Sequence, residues 1–459
     1  MIFQGYFLPE TNCMKKCLFL LLSITIAITV FSQYSRDSAV NKWSVHFQIT
    51  VIAQRHSGFK AAYSGSNSLA DTVEPTVTSL TGTLFLGRKL WKGAAFYLNP
   101  EISGGKGLSF TKGVAGALNG ETYRVGATEP QVFIARAYLQ QHFPLRNTGY
   151  ENVTDDFNQV IEKLPTSRIT ISAGKFALSD FYDDNTYSKD PRTQFFNWSL
   201  WANGAWDYPA NTRGYTYGLV AELFRPGWSL RLSSVAVPRI ANAPEMEYDI
   251  TRAHGETIEF KHSLFIHKHP GSVGVIVSNS YTKAPTYKAG LKALADDDVF
   301  LLDVIQGNVE GKTYGGKKIG IGLNVEQELS DNVGIFSRAG WNGGKYVSWA
   351  FTEIDRTVNV GISIKGTRWK RPGDVLAVAT VFNGLSAGHK EYLAAGGYGF
   401  IIGDGQINYG YENIIEAYYI YKMLKLFWLT VDYQLVNHPG YNKDRGPVNV
   451  FALRFHYEL

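Results

Sequence analysis

Asn449-Val-Phe-Ala-Leu-Arg-Phe-His-Tyr-Glu-Leu459 alternates without a break: Phe451, Leu453, Phe455, Tyr457 and Leu459 share one parity, and Ala452, Arg454, His456 and Glu458 the other. Successive side chains of a strand point to opposite faces, so this segment predicts a strand that is apolar on one side and charged on the other. It runs to the last residue, where a soluble domain usually frays. An edge strand of a soluble sandwich would share the alternation. A strand with lipid on one face and water on the other, closing a barrel at the chain end, accounts for both features.

The other end of the chain points the same way. Met14-Lys-Lys-Cys precedes an apolar run from Leu18 to Phe31, with Val30 and Ser32 as small residues at the cleavage positions. That order reads as a secretory signal peptide, and the run is too short for a spanning helix. Residues 1–32 are therefore assigned to an upstream segment plus leader, the first thirteen reading as an upstream mis-start, and 33–459 to one β-barrel domain. Both cysteines, Cys13 and Cys17, fall in the leader. A disulfide framework and a cysteine nucleophile are excluded for the mature chain. Without residues 1–32 the chain keeps 43 basic and 39 acidic residues (45 less Lys15 and Lys16; 40 less Glu10), a formal charge of +4. So small a balance argues against a nucleic-acid partner. Aromatic residues make up 14% and glycines number 46, and no mature stretch reaches the length of a spanning helix. Such a composition fits alternating strands with aromatic girdles.

Sixteen period-2 segments recur at 42–54, 78–88, 92–102, 131–143, 167–177, 213–224, 227–237, 256–267, 271–281, 317–328, 332–342, 357–368, 374–383, 410–422, 426–437 and 448–459. Short turns alternate with long connections. This is the two-sided pattern of an all-β, transmembrane, antiparallel barrel in a Gram-negative outer membrane, with short turns and the C-terminus periplasmic. The segment 144–166 is a long connection on the short-turn side, and its Asp155–Leu164 spacing predicts a short helix. Segment 298–306 lacks alternation and is placed in a loop. Sixteen strands enclose a water-filled lumen, so function depends on what lines and narrows it.

Residues of polar parity include Asn99, Glu101, Arg136, Gln140, Glu222, Arg231, Glu259, Lys261, Lys365, Glu412 and Glu416. Charges of both signs suit a neutral, hydroxyl-rich solute better than an anion, because sugar hydroxyls both donate and accept. Loop 178–212 is rich in Trp, Phe and Tyr, which would be an aggregation hazard in solvent and predicts a loop folded inward on the wall.

Several stretches resemble the carbohydrate-selective porin family (OprB-like). They are Leu84-Phe-Leu-Gly-Arg-Lys-Leu-Trp, Asn99-Pro-Glu-Ile-Ser-Gly-Gly-Lys-Gly-Leu-Ser109, Gly174-Lys-Phe-Ala-Leu-Ser-Asp, Asn203-Gly-Ala-Trp-Asp-Tyr-Pro-Ala-Asn-Thr-Arg-Gly-Tyr215, and Val431-Asp-Tyr-Gln with Asn437-His-Pro-Gly-Tyr-Asn-Lys-Asp-Arg-Gly-Pro447. The resemblance implies a sixteen-stranded channel for passive uptake of glucose-like sugars, with Arg, acidic and Trp residues at a constriction. Terminal Leu459 departs from the commoner aromatic ending. Glu101 and Arg136, on adjacent predicted strands and of lumen parity, are expected to form part of a polar eyelet with Arg55, and Trp198, Trp201 and Trp206 on the inward loop to supply its aromatic side. The expected partners are a carbohydrate and outer-membrane lipid, with a homotrimer open as an alternative to a monomer. A non-selective porin, or a barrel that anchors an enzyme or adhesin, are the competing readings. No cofactor is expected. His262, His267 and His269 read as solvated turn residues with no carboxylate to complete a metal set, and Asp296-Asp-Asp298 lacks the spacing of a calcium loop.

Overall fold

A computed structural model describes residues 42–459. The leader lies outside the described residues. The strands are β1 (Trp43–His56), β2 (Val77–Lys89), β3 (Ala94–Gly105), β4 (Gln131–Pro144), β5 (Tyr150–Val153), β6 (Glu162–Pro165), β7 (Arg168–Phe176), β8 (Thr216–Arg225) and β9 (Trp228–Val235). They continue as β10 (His254–Ile266), β11 (His269–Thr282), β12 (Gly316–Ser330), β13 (Val333–Asn342), β14 (Arg356–Lys365), β15 (Val375–Gly384), β16 (Glu412–Leu424), β17 (Phe427–Asn437) and β18 (Val448–Glu458). All but β5 and β6 form one closed antiparallel barrel of sixteen strands, each beside its sequence neighbour. Each of these strands overlaps one of the sixteen alternating segments. Among the described residues no helix is long and apolar enough to cross a membrane.

Alternation has its expected physical consequence in β18. Phe451, Leu453 and Phe455 are exposed on the outer face, whereas Ala452, Arg454 and His456 are buried inside. Tyr457 is the exception: it packs on Phe427 and Phe47, at ring distances of 4.6 and 6.4 Å, and is covered. The barrel closes between β1 and β18, where Val51 lies opposite Phe455 and Thr50 opposite His456. The seam reaches the final residue, since Phe47 and Leu459 exchange both backbone hydrogen bonds (3.1 and 2.9 Å).

Two-residue turns such as Pro226-Gly227, His267-Lys268 and Asp331-Asn332 join strands at one end. His267 and Lys268 both take positive φ (50° and 72°), as a tight hairpin with the native twist demands. The connections at the other end are long: 57–76, 106–130, 177–215, 236–253, 283–315, 343–355, 385–411 and 438–447. Segment 298–306 lies in one of these loops, as expected, and carries the helix Val299–Ile305. Asp298 caps it by accepting the Leu301 N–H (3.1 Å), which gives this acidic run a structural role.

One expectation is corrected. Residues 155–164 do not form a helix; the connection between β4 and β7 contains the hairpin β5–β6, with Tyr150 opposite Pro165 and Val153 opposite Glu162. The apolar spacing of this stretch serves contacts with the barrel wall, described below, and does not line a helical face.

Leu323, at mid-strand in β12, is exposed on the outer face. Leu323→Arg places a charge in the hydrocarbon and is expected to destabilise the barrel by about 2–4 kcal/mol, measured as urea unfolding in lipid vesicles, while Leu323→Ala costs less.

Candidate functional site

The lumen is narrowed from the long-loop end by two inward segments. Loop 177–215 carries Phe181, Tyr182, Phe195, Phe196, Trp198, Trp201 and Trp206, all buried. Hydrophobic burial draws it in, but a largely irregular loop pairs only part of its backbone amides internally, so the wall supplies further partners. Glu416 of β16 accepts the N–H groups of Phe196 and Asn197 (2.5 and 2.9 Å). Glu259 of β10 accepts that of Asp183 (2.8 Å), and Glu326 of β12 that of Thr186 (2.5 Å). Arginines do the reverse. Arg338 donates to Asp183 (2.9 Å) and to the carbonyls of Ser188 and Leu200 (2.6 and 3.1 Å). Arg454 donates to the carbonyls of Pro191 and Gln194 (2.8 and 2.7 Å). The loop is thus fastened to β10, β12, β13, β16 and β18, reaching from its own ends on β7 and β8 to the far side of the barrel at β16.

The second segment lies in 106–130. Glu412 accepts the N–H groups of Ala115, Gly116 and Gly440 (2.9, 2.8 and 2.9 Å), and Gln54 and Gln434 donate to the Leu118 carbonyl (3.2 and 2.9 Å). The two segments bond to each other through Trp198 N–H to Ala117 O (3.1 Å) and Gly120 N–H to Phe196 O (2.9 Å).

A charged network lies where these segments meet β2, β3 and β4. Arg136 makes two parallel bonds to Asp180 (2.7 and 2.6 Å) and stands 5.4 Å from the centre of the Tyr215 ring. The Tyr215 hydroxyl donates to Glu101 (3.0 Å), which also accepts from Thr83 (2.6 Å) and Arg192 (3.0 Å). Arg192 completes the set with Glu121 (2.9 Å). Glu101 is 1% exposed and Arg136 is buried, whereas Asp180 keeps 26% of its side chain accessible, so the network reaches open space at Asp180. Glu101 and Arg136 therefore share one network through Tyr215 without touching. Sequence reading missed Asp180, Arg192 and Tyr215, although all three lie in or beside the stretches already singled out as densest in chemistry.

Arg55 is not part of it. It shares the parity of the outward residues of β1, is exposed, and lies opposite outward-facing Phe451. The eyelet expectation is corrected on this point, for a one-residue step along a strand moves a side chain to the other face. Trp198, Trp201 and Trp206 do lie on the inward loop, at 4%, 3% and 3% exposure. Trp206 is packed against Tyr182 and Tyr208 at ring distances of 6.0 and 5.0 Å. All three indoles are packed into the loop's interior and present little free ring surface.

A cavity of ≈ 370 Å³ opens above the inward loops, lined among others by Lys106, Phe110, Lys112, Thr122, Thr212 and Asn242. Another of ≈ 250 Å³ lies below, between Tyr187 and Gln194 of the loop and Glu328 and Lys365 of the wall. At the short-turn rim the fold places Glu328 and Asp331 beside His269, with ligand atoms all within 4.8 Å of one another. This corrects the expectation that no carboxylate accompanies the turn histidines; Asp331, 92% exposed, remains a solvated member of the group.

On the long-loop side, Lys283 bonds Glu247 (2.7 Å) and Glu310, and Arg239 bonds Glu310 (2.7 Å), tying loop 236–253 to loop 283–315. The Lys283 ammonium holds the Glu310 carboxyl below its ordinary value. Burial would raise Glu247, but its hydrogen bonds, first that from Lys283, bring it below the ordinary value too. Burial works against the charge on Lys283, yet its two acidic partners raise its pKa.

The family described as carbohydrate-selective porins, OprB family, matches residues 84–459. The high-pH structure of Pseudomonas putida OprB superimposes with a TM-score of 0.65 at 13% identity, over 91% of this chain and 94% of that one. The outer-membrane channel DcaP of Acinetobacter baumannii gives a TM-score of 0.47 at 13% identity, over 91% and 97%. No curated protein sequence matches the chain.

The loop–loop latch yields a pH prediction. Carboxylates with lowered pKa contribute stability above their ordinary value of 4.5 and lose it as pH falls through the folded value, while the raised Lys283 keeps its contribution through neutrality. Hydrogen exchange in 236–253 and 283–315, corrected for intrinsic rates, is expected to stay slow at pH 6 and quicken below about pH 4. Lys283→Met is expected to weaken that pH dependence, leaving the share that Arg239 gives Glu310.

Proposed function

This chain belongs to the OprB family of carbohydrate-selective porins, and we propose that glucose-like sugars pass its lumen at a polar eyelet formed by Arg136, Asp180 and Glu101. It is an outer-membrane β-barrel porin for carbohydrate, a channel in family and fold. The observation that supports the eyelet is the bidentate Arg136–Asp180 pair with Asp180 accessible, backed by the enclosed Glu101–Arg192–Tyr215 network. Such a site offers donors and acceptors side by side, matching hydroxyls that need both. Charge-assisted hydrogen bonds of about 1.5–3 kcal/mol hold a sugar without trapping it, since much of each replaces a bond to water. Trp198, Trp201 and Trp206 set the loop's position, and with it the aperture. The short turns face the periplasm together with the C-terminus, and the long loops face outward. A non-selective porin is the second reading, favoured by the balance of both charge signs along the wall.

In planar bilayers, Arg136→Ala is expected to weaken sugar block of the ion current about tenfold, the equivalent of one lost charge-assisted bond, and to shift selectivity toward cations by leaving Asp180 unpaired. Sugar block that survives in folded, conducting barrels would remove Arg136 from the path. A wild-type current insensitive to any sugar would leave the non-selective porin.

Orientation is read by cysteine labelling, because the mature chain carries no thiol of its own. Asp297→Cys, in the long loop 283–315, should react with an impermeant reagent on intact cells. Gly227→Cys should not; an added Cβ there meets nothing within 4 Å, although the φ of 83° is strained for a side chain, and Pro226→Cys in the same turn is the companion variant. The reverse labelling pattern would invert the topology.

A further inference from the structure

At the short-turn end one connection is long, residues 145–167 between β4 and β7. Its stem is the hairpin β5–β6, and beyond the stem a turn closed by the Asp156–Gln159 bridge enters the barrel. The tip is bound to inner-face residues of three strands. Phe157 stacks on Phe85 of β2 at 4.4 Å and 18°, and meets His46 of β1 edge-on at 5.5 Å. His46 also lies 3.3 Å from Asp155, and Ser44 donates to the Asp156 carbonyl (3.4 Å). On β3, Asn99 donates to Asn158 Oδ1 (2.9 Å), and the Tyr97 hydroxyl accepts the Val160 N–H (3.3 Å).

The depth of this insertion matters. Asn99 lies five residues into β3, which at about 3.3 Å per residue and a tilt of about 40° is roughly 12 Å from the turn, nearly half the thickness of the apolar band. Asn99 is also the direct register partner of Arg136. The tip thus reaches the level of the Arg136–Asp180 pair from below. There Val160 joins the apolar cluster of Tyr97, Tyr138 and Phe181, the last of which belongs to the inward loop. Two segments that enter from opposite ends of the barrel share one packing cluster beside the eyelet. Asn158 sits at the turn with positive φ (52°), and Asp155 keeps 37% of its side chain accessible.

We propose that the tip 154–160 is the second lip of the constriction: a size-limiting element, with Asp155 and Asn158 as sugar-contacting groups, fixed by the Phe157–Phe85 stack. The assignment rests on the reading of the lumen as a sugar path. The conduction path is bounded by the inward loop on one side and by this turn on the other, and the upper size of the solute is set jointly.

The test uses full-length barrels in planar bilayers and in liposome swelling with a mono- to tetrasaccharide series. Removing Asp155–Gln159 leaves Thr154, Val160 and Ile161 to link β5 and β6. It is expected to raise open-channel conductance about twofold and to admit longer saccharides, since conductance follows the narrowest cross-section. Phe157→Ala should move both readouts in the same direction by less. Asn158→Cys, carrying the only thiol of the mature chain, should react with a bulky neutral maleimide and lose current. Conductance and size limit unchanged by the deletion in folded barrels would overturn the proposal. So would an Asn158→Cys thiol that does not react, or that reacts without changing the current, and this arm stands even if the deletion fails to fold. Failure of the sugar reading shows separately, as a wild-type current with no response to any sugar.

Discussion

Pairing of backbone amides by wall carboxylates is the interaction on which the constricted barrel depends. A buried peptide N–H without a partner costs about as much as a lost hydrogen bond, and an irregular loop inside a barrel has dozens to place. Inner-face glutamates are long enough to reach two consecutive amides and even a second loop: Glu412 holds Ala115 and Gly116 and also Gly440, and Glu416 holds Phe196 and Asn197. The device recurs between loops. Asp207 accepts the N–H groups of Trp349, Ala350, Phe351 and Thr352, and Glu353 those of Ile401 and Ile402. Because removing one partner from a buried charged contact costs about 3–5 kcal/mol, the loops are pinned in place and do not wave in the lumen.

These contacts explain why a channel wall carries charges of both signs while only part of them meets solute. Arg338, Arg454, Glu412 and Glu416 are all fully buried, their hydrogen-bonding capacity directed at loop backbone. Asp180, paired with buried Arg136, and the Lys261–Asp184 pair are among the charged groups that keep accessible surface once the loops are in place. A lumen lined by paired charge attracts neither cations nor anions strongly.

The barrel was legible in the sequence because lipid on one side and water on the other impose a period of two along every wall strand, as in Trp43 to Val51 and Phe427 to Leu435. The site was legible only in part. Parity placed Glu101 and Arg136 inside, and the aromatic density of 178–212 foretold a loop packed on the wall. Parity also contradicts Arg55, whose outward face follows from counting along β1. The pairings of Arg136 with Asp180 and of Glu101 with Arg192 join residues 44 and 91 positions apart through an irregular loop, and no local periodicity encodes such a contact. The connection 144–166 misled for a related reason. Phe157 and Val160 are spaced as on a helix, but they answer to Phe85 and Tyr97 on the wall.

The seam between β1 and β18 has a consequence for biogenesis. Val51 meets Phe455, so the first and last strands must find each other across almost the whole chain. Until they do, the growing sheet ends in two open edges whose unpaired backbone groups invite pairing with a neighbouring molecule. No hairpin made early can seal the wall, and contacts of such sequence separation form slowly. The nascent polypeptide has to travel unsealed, shielded from its own kind, and becomes watertight only when its final eleven residues dock.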